Sequence, residues 1–336
     1  MEVPDLPRAT IHDVARLAGV STASVSRALS GSRPVTETVA QTVRTAAARL
    51  GYQPDEVGRS LRRRETRTVG LIIADIVNPF FPALVKAVEE ALQAAGYGLL
   101  LADAAEDTAR ELASVRRLLA RRVDALFITP CHRIRSRAAI VESAQQVLTL
   151  QLDRYATPKA NHIGMDHTDA VVQVLEHLSS TGRRHPVFIG SESSMSTARD
   201  RQRAYEKHAD RMDAGAGTRT LLGQYTADWG SKAASLALER WPLTDSFVCA
   251  NDLIALGATD ELGRLGVDVP GQVAVVGFDD TMFAKLRRPS LTSVRQPLEE
   301  MARLAVATIV DPTRPRSGQQ TLLPATLVVR DSSAAS

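Results

Sequence analysis

The sequence predicts a small all-α unit built as a helix-turn-helix, followed by an α/β body of parallel, doubly wound sheets. Three observations carry this. The stretch "IHDVARLAGVSTASVSRALSG" (11–31) holds two short amphipathic helices split by a glycine. From Val69 onward, apolar runs of strand length alternate with helical patterns: "VGLIIA", "YGLLLA", "VDALFIT", "QVLTLQL", "PVFIG", "SFVCA" and "QVAVVG". The third is charge. Residues 1–68 carry 11 arginines and no lysine against 7 acids, whereas the remaining 268 residues hold 30 basic and 31 acidic side chains.

In the first helix Thr10 is the expected cap with Asp13 at its third position, and Val14, Leu17 and Ala18 form the inner face. Gly19 ends it, since glycine alone enters the left-handed conformation without steric cost. Ser21 then caps a second helix. Val25, Ala28 and Leu29 pack inward, while Thr22, Ala23, Ser24 and Arg27 face outward or flank the packed face. Small polar residues at the front of a helix let its backbone approach another surface closely. A helix-turn-helix uses such an end to enter the DNA major groove; an ordinary helical hairpin with a polar face is the other reading. A third helix runs from a Thr36 cap through Glu37, Val39, Val43, Ala46, Ala47 and Leu50 to Gly51. Beyond it, Asp55 caps a short helix containing Val57, Gly58 and Leu61, followed by four arginines. So short a helix forms only when something holds it.

In doubly wound sheets ligands bind beyond the carboxyl ends of the strands. That rule selects Asn78 to Phe81, Thr129 and Pro130, Asp153 and Arg154, Ser191 to Arg201, Asn251 and Asp252, and Phe278 to Asp280. Carboxylates, amides, arginine and aromatics together suit a small polar ligand. The same residues could instead cap the helices that follow, above all Asn251 or Asp252. A basic first domain on a near-neutral body points to a polyanion partner for that domain alone, or to plain solvated surface. Cys131 and Cys249 read as reduced buried thiols, and no zinc spacing or His-x-x-x-His pair occurs. "MEVPDLPRAT" has no apolar signal-peptide core and no run approaches 18 apolar residues, so a soluble cytoplasmic protein is expected. "GSESS" lacks the second glycine of a nucleophile elbow, and neither phosphate-binding glycine motif is present, which argues against an enzyme.

Five longer segments carry a family resemblance: "TIHDVARLAGVSTASVSRALSG", "LGYQPDEVGRSLR", "DIVNPFFPALVKAVEEALQAAGY", "CANDLIALGATDELGRLGVDVPGQVAVVGFDD" and "RRPSLTSVRQPLEEMARLA". From about Thr10 to Arg330 the chain resembles the lactose-repressor (LacI/GalR) family of transcriptional regulators. The resemblance implies a DNA-binding helix-turn-helix over 8–54, a hinge helix and linker over 55–67, and an effector-binding and dimerisation core over 68–336. That core would have two lobes like a periplasmic binding protein, each discontinuous because the chain crosses between them three times. Thr22, Ala23, Ser24 and Arg27 match the DNA-reading helix, and Leu61, with Gly58 and Arg62 beside it, matches the hinge segment that enters the minor groove. Phe80, Phe81, Asp153, Arg154, Arg201, Tyr225, Asn251 and Asp279 match the effector cleft. A repressor follows, with double-stranded DNA bearing a pseudo-palindromic operator and a sugar-like effector as partners, and with no cofactor, metal or membrane. The chain departs from the family at Gly58, where alanine is usual, at His167, where asparagine is usual, and at Ala204-Tyr205, where Gly-Phe is usual. The tail "LVVRDSSAAS" holds no leucine heptads, which favours a homodimer over a tetramer. Solute-binding or enzymatic use of the same core is the alternative.

Overall fold

The computed structural model describes residues 9–30, 35–52, 65–192, 194–311, 313 and 317–334. Gly58, Leu61 and Arg62 of the expected hinge lie outside the described residues. The chain divides into two compact units at Thr66/Arg67.

The first unit is a three-helix bundle: α1 (Ile11–Ala18), α2 (Thr22–Ser30) and α3 (Glu37–Arg49). Thr10 and Asp13 form a reciprocal capping box, with Thr10 N–H donating to Asp13 Oδ2 at 2.9 Å and Asp13 N–H to Thr10 Oγ1 at 3.4 Å. Gly19 closes α1 at φ +65°. Thr36 stands at the start of α3 without a side-chain cap bond. Val14, Ala15, Val25, Val43, Ala46 and Ala47 are the buried core, with Ile11, Ala18, Ala28 and Leu29 packed around it. Leu17, expected inside, is 45% exposed. The packed series of α1 is Ile11, Val14, Ala15, Ala18, and at 3.6 residues per turn Leu17 lies about 110° off its centre.

The second unit has two six-stranded sheets. The first has the order β11-β5-β4-β3-β1-β2, all parallel, with β1 Thr68–Ile73, β2 Gly98–Asp103, β3 Ala125–Ile128, β4 Leu148–Leu152, β5 Asn161–Met165 and β11 Gln320–Leu323. The second has the order β12-β10-β9-β8-β6-β7, with β6 Pro186–Ser191, β7 Thr220–Gly223, β8 Ser246–Cys249, β9 Ala274–Phe278, β10 Thr292–Arg295 and β12 Thr326–Val328. Its strands are parallel except for β12, which runs antiparallel to β10. Each sheet has its own apolar core. The chain passes between the sheets three times: after β5, after β10 and after β11. The seven strands expected from apolar runs are all present. β5, β7, β10, β11 and β12 are additional.

Two helices of the second lobe, Ala227–Arg240 and Asp252–Arg264, touch backbone to backbone. A Cβ on Gly230 would lie 2.0 Å from the Ile254 carbonyl oxygen, and one on Gly257 would lie 1.9 Å from that of Ala227. Because both obstacles are main chain, neither can rotate away. Gly257→Ala is expected to destabilise this lobe by at least about 2 kcal/mol, seen as a lower urea midpoint, whereas Gly263→Ala on the same helix, where a Cβ meets nothing within 4 Å, leaves the midpoint unchanged or raised.

Candidate functional site

In α2, Ala23 and Arg27 are exposed, with Thr22 and Ser24 half-buried beside them. Ser21 starts the helix there by accepting Ser24 N–H at 3.2 Å. Arg27 lies back along the helix, donating from Nε to the Ala23 carbonyl at 3.2 Å and from Nη2 to Ser24 Oγ at 3.4 Å. Ala23, Ser24 and Arg27 thus form one patch, with Thr22 preceding it at the first helical position.

In the second unit, Phe80, Phe81, Asp153, Arg154, Arg201, Tyr225, Asn251 and Asp279 all line one cavity of about 20 Å³. Each stands where an element starts or stops. Asn78 receives Phe80 N–H on its side chain at 3.1 Å and Phe81 N–H on its carbonyl at 3.0 Å, which begins the helix Phe80–Ala94. The two phenyl rings meet edge to face, 5.2 Å between centroids. Asp153 and Arg154 follow β4, Tyr225 follows β7 and Asp279 follows β9. Arg201 projects from the helix Ser196–His208. Asn78, Thr197 and Gln296 also line the cavity.

Arg201 is 3% exposed. Its Nε donates to His167 Nδ1 at 3.3 Å, its Nη1 to the Ala250 carbonyl, and its Nη2 lies 3.6 Å from Asp279 Oδ1. The guanidinium carbon sits 4.6 Å above the Phe278 ring. The family departure at His167 therefore falls directly on this arginine. Burial, reinforced by the Arg201 charge, pushes the His167 pKa well below the ordinary value, so the ring stays neutral and can accept. The other departure, Ala204-Tyr205, is internal: Tyr205 is fully buried, stacks on Phe188, and donates its hydroxyl to the Pro186 carbonyl at 2.8 Å.

Arg154 Nη1 donates to both carboxylate oxygens of Glu106, at 2.9 and 3.0 Å, and its guanidinium carbon lies 5.3 Å from the Phe81 ring centroid. Burial pushes Asp153 up to about 6, although Arg154 and Arg201 favour its ionised form. Asp279 is also raised by burial, against the pull of Arg201, and it accepts Gln296 Nε2 at 2.9 Å. Both carboxylates sit on backbone that side chains rarely adopt, at φ +59° for Asp153 and +102° for Asp279.

Four buried polar atoms around this cavity make no hydrogen bond: Asp153 Oδ1, Arg154 Nε, Tyr225 OH and Gln296 Oε1. Thr197 lies near the Tyr225 hydroxyl and Gln296 near Asp153, but neither approach has hydrogen-bond geometry. Such orphans are rare in protein interiors, and here they share one wall. Asn251 does cap the helix that follows it, with Oδ1 accepting Ile254 N–H at 2.9 Å, which leaves its NH₂ group to offer the cavity. Asp252 and Asp280, also selected by the end-of-strand rule, hold the frame instead. Asp252 accepts Thr281 N–H at 2.7 Å and Ser293 Oγ–H at 2.6 Å. Asp280 pairs with Arg295 and Arg330. Gln296 escaped the rule because "TSVR", the strand it follows, has no apolar run.

A larger cleft of about 860 Å³ adjoins the cavity, and Asn78 and Tyr225 line both. Among the described residues no cluster of three or more His, Cys, Asp or Glu could hold a metal, and no helix is long and apolar enough to cross a membrane. Cys131 and Cys249 are buried free thiols whose pKa burial pushes up.

Residues 10–55 match the lacI family of bacterial regulatory proteins, and residues 175–333 match a periplasmic binding protein-like domain. The HTH-type transcriptional regulator GalR of Escherichia coli (strain K12) is 32% identical over 297 residues, covering 88% of this chain and 86% of that protein. Among solved structures, the lac repressor dimer bound to operator and the anti-inducer ONPF superposes with a TM-score of 0.87 at 25% identity, over 97% of this chain and 99% of that one. A complex of the transcriptional regulator CelR with cellobiose gives 0.71 at 29% identity, over 97% and 100%. A helix-turn-helix, two parallel α/β lobes and this extent of likeness lead to one conclusion: the chain belongs to the lacI family of bacterial regulatory proteins, as a DNA-binding transcriptional regulator with an effector-binding core.

Proposed function

We propose that the chain is a repressor that binds a pseudo-palindromic operator as a homodimer, and that a sugar-like effector held in the closed cavity controls that binding. The wall of four unpartnered polar atoms carries this reading. A carboxylate oxygen and an amide oxygen accept, a guanidinium N–H donates, and a tyrosyl hydroxyl does both. Vicinal hydroxyls can meet all four at once, while Phe80 and Phe81 offer apolar cover for ring carbons. The lac repressor relative, a dimer on its operator, supports the homodimer.

On the DNA side, residues 8–54 serve as the reading domain, 55–67 as hinge and linker, and 68–336 as the core. Arg27 pairs bidentately with guanine, the methyl groups of Thr22 and Ala23 meet thymine, and Ser24 bonds a base edge or phosphate. Leu61 is the wedge for the minor groove, with Arg62 on groove or phosphate beside it. Gly58 weakens the hinge helix by about 1 kcal/mol relative to alanine, so this helix depends strongly on DNA to form. Arg27→Ala is expected to cost about 1 to 3 kcal/mol of specific affinity and to relax selectivity at one base pair, measured by competition against single-base operator variants; a uniform loss across all variants would reduce Arg27 to a phosphate contact.

Calorimetry of the full chain against a panel of sugars tests the effector site. Asp279→Asn keeps the shape and tolerates the positive φ, yet is expected to weaken sugar binding by about 1.5 to 3 kcal/mol, as for a lost charge-assisted hydrogen bond. DNA affinity without sugar stays the same. Undiminished sugar affinity in this variant would remove the cavity from consideration.

Asp153 gives a pH signature. Its folded pKa, about 6, lies above the ordinary 3.8. Folding therefore disfavours the ionised form, and the parent loses stability as pH rises from about 4 to about 6, with the full cost present above that. Asp153→Asn removes this cost. The variant is expected to be more stable than the parent by ~2–3 kcal/mol at pH 8, by about nothing at pH 4, and to bind sugar more weakly at pH 8. Equal pH dependence of thermal unfolding in both proteins would show that Asp153 is not the buried, strained acid described here.

A further inference from the structure

The closed cavity has the chemistry for a polyol but not the room. About 20 Å³ holds one water, whereas the adjoining cleft of about 860 Å³ is of the size that takes small molecules. The two are joined by shared side chains: Asn78 and Tyr225 line both, and Tyr225 brings its unpartnered hydroxyl to the boundary. Glu106 is a third link, lining the outer cleft while both its oxygens receive Arg154 of the inner cavity. A ligand that satisfies the inner wall must enter past Tyr225 and so has a part lying outside it.

The outer lining says what that part is. Four carboxylates, Asp75, Glu106, Asp107 and Glu192, face the cleft against one guanidinium, Arg135. The inner cavity adds two of each sign, Asp153 and Asp279 with Arg154 and Arg201. A phosphate or carboxylate on the ligand would meet a net negative field. A fixed cation is not called for either, because most of these acids already serve the chain. Glu106 pairs with Arg154, Asp107 accepts Ala109 N–H at 2.7 Å at the start of its helix, and Asp75 accepts Val77 N–H at 3.0 Å. Gln224, Thr226 and Ser194 supply groups that donate and accept, as uncharged hydroxyls require.

Resting on the polyol reading of the inner cavity, we infer that the effector is an uncharged oligosaccharide of at least two units, one inserted at the inner wall and the next lying in the outer cleft. The full-length protein is titrated calorimetrically with glucose, galactose, their α- and β-linked disaccharides, the same sugars as 6-phosphates, and a disaccharide carrying one amino sugar. A neutral disaccharide is expected to bind at least about tenfold tighter than its own monosaccharide, which is about 1.4 kcal/mol, with no measurable binding of the phosphates. Gln224→Ala combined with Glu192→Ala should lower disaccharide affinity about five- to tenfold and leave the monosaccharide unchanged, as expected for one or two lost hydrogen bonds. Equal affinity for mono- and disaccharide, or tighter binding of a phosphate or of the amino sugar, overturns this inference and leaves the inner site standing. No binding of any sugar removes the polyol site as well.

Discussion

A guanidinium removed from water needs acceptors on every side that carries an N–H, and the second unit is arranged around that requirement at Arg201. Its partners come from three separate places: His167 just after β5, the Ala250 carbonyl just after β8, and Asp279 just after β9. Breaking such a buried pair by removing one partner leaves an uncompensated charge, which costs about 3 to 5 kcal/mol. The arginine therefore fixes where the strand ends of the second sheet stand and where the first passage from the other sheet arrives. Phe278 beneath the cation adds an apolar floor and confines it to one plane.

The carboxylates opposite are under a different constraint. Asp153 and Asp279 are each buried, raised in pKa, and held at positive φ. Their own backbones are nonetheless fully engaged: Asp153 N–H donates to the Ile163 carbonyl at 2.9 Å and Asp279 N–H to that of Val294 at 2.8 Å. The sheet thus holds the main chain while the side chain is left incompletely satisfied. An interior selected for stability alone does not retain such groups, since each unmade hydrogen bond costs about 1 to 3 kcal/mol. Four of them on one wall are a cost accepted for binding.

What was legible in the sequence follows from how local each signal is. Continuous apolar runs mark β1 to β4, β6, β8 and β9, because strands covered on both faces need apolar side chains at every position. β5, "NHIGM", is as buried as these yet polar in two of its five residues. Its Asn161 accepts Gln319 N–H at 3.0 Å and its His162 Nε2 lies 3.1 Å from the Asp153 carbonyl, partners that only the tertiary fold supplies. β11 and β12 are short and partly exposed at the sheet margins, where alternation replaces a run. The same locality decides the site. Asp153, Arg154, Asn251 and Asp279 follow recognisable strands, so the end-of-strand rule reaches them; Gln296 follows one that is not recognisable. Leu17 misleads because i, i+3 spacing from Val14 fits two adjacent faces of α1, and only packing against α2 and α3 chooses between them.

The cavity wall belongs to neither lobe alone. Phe80, Phe81, Asp153 and Arg154 come from the first sheet's side, Arg201, Tyr225, Asn251 and Asp279 from the second, and Gln296 from the passage between them. Further bonds cross the same gap: Tyr155 N–H donates to Ser196 Oγ at 2.9 Å, its hydroxyl to Asp200 at 2.9 Å, and Arg133 N–H to the Ser194 carbonyl at 2.9 Å. A ligand can shift a conformational equilibrium only by the difference in its affinity for the two states. A molecule bound to one lobe would carry no such difference for the spacing of the two. One that bonds Asp153 on one side and Asp279 on the other must, because opening the gap breaks half of its contacts. The geometry that leaves these side chains unpaired is therefore also the geometry that lets occupancy of the cavity set the distance between the lobes.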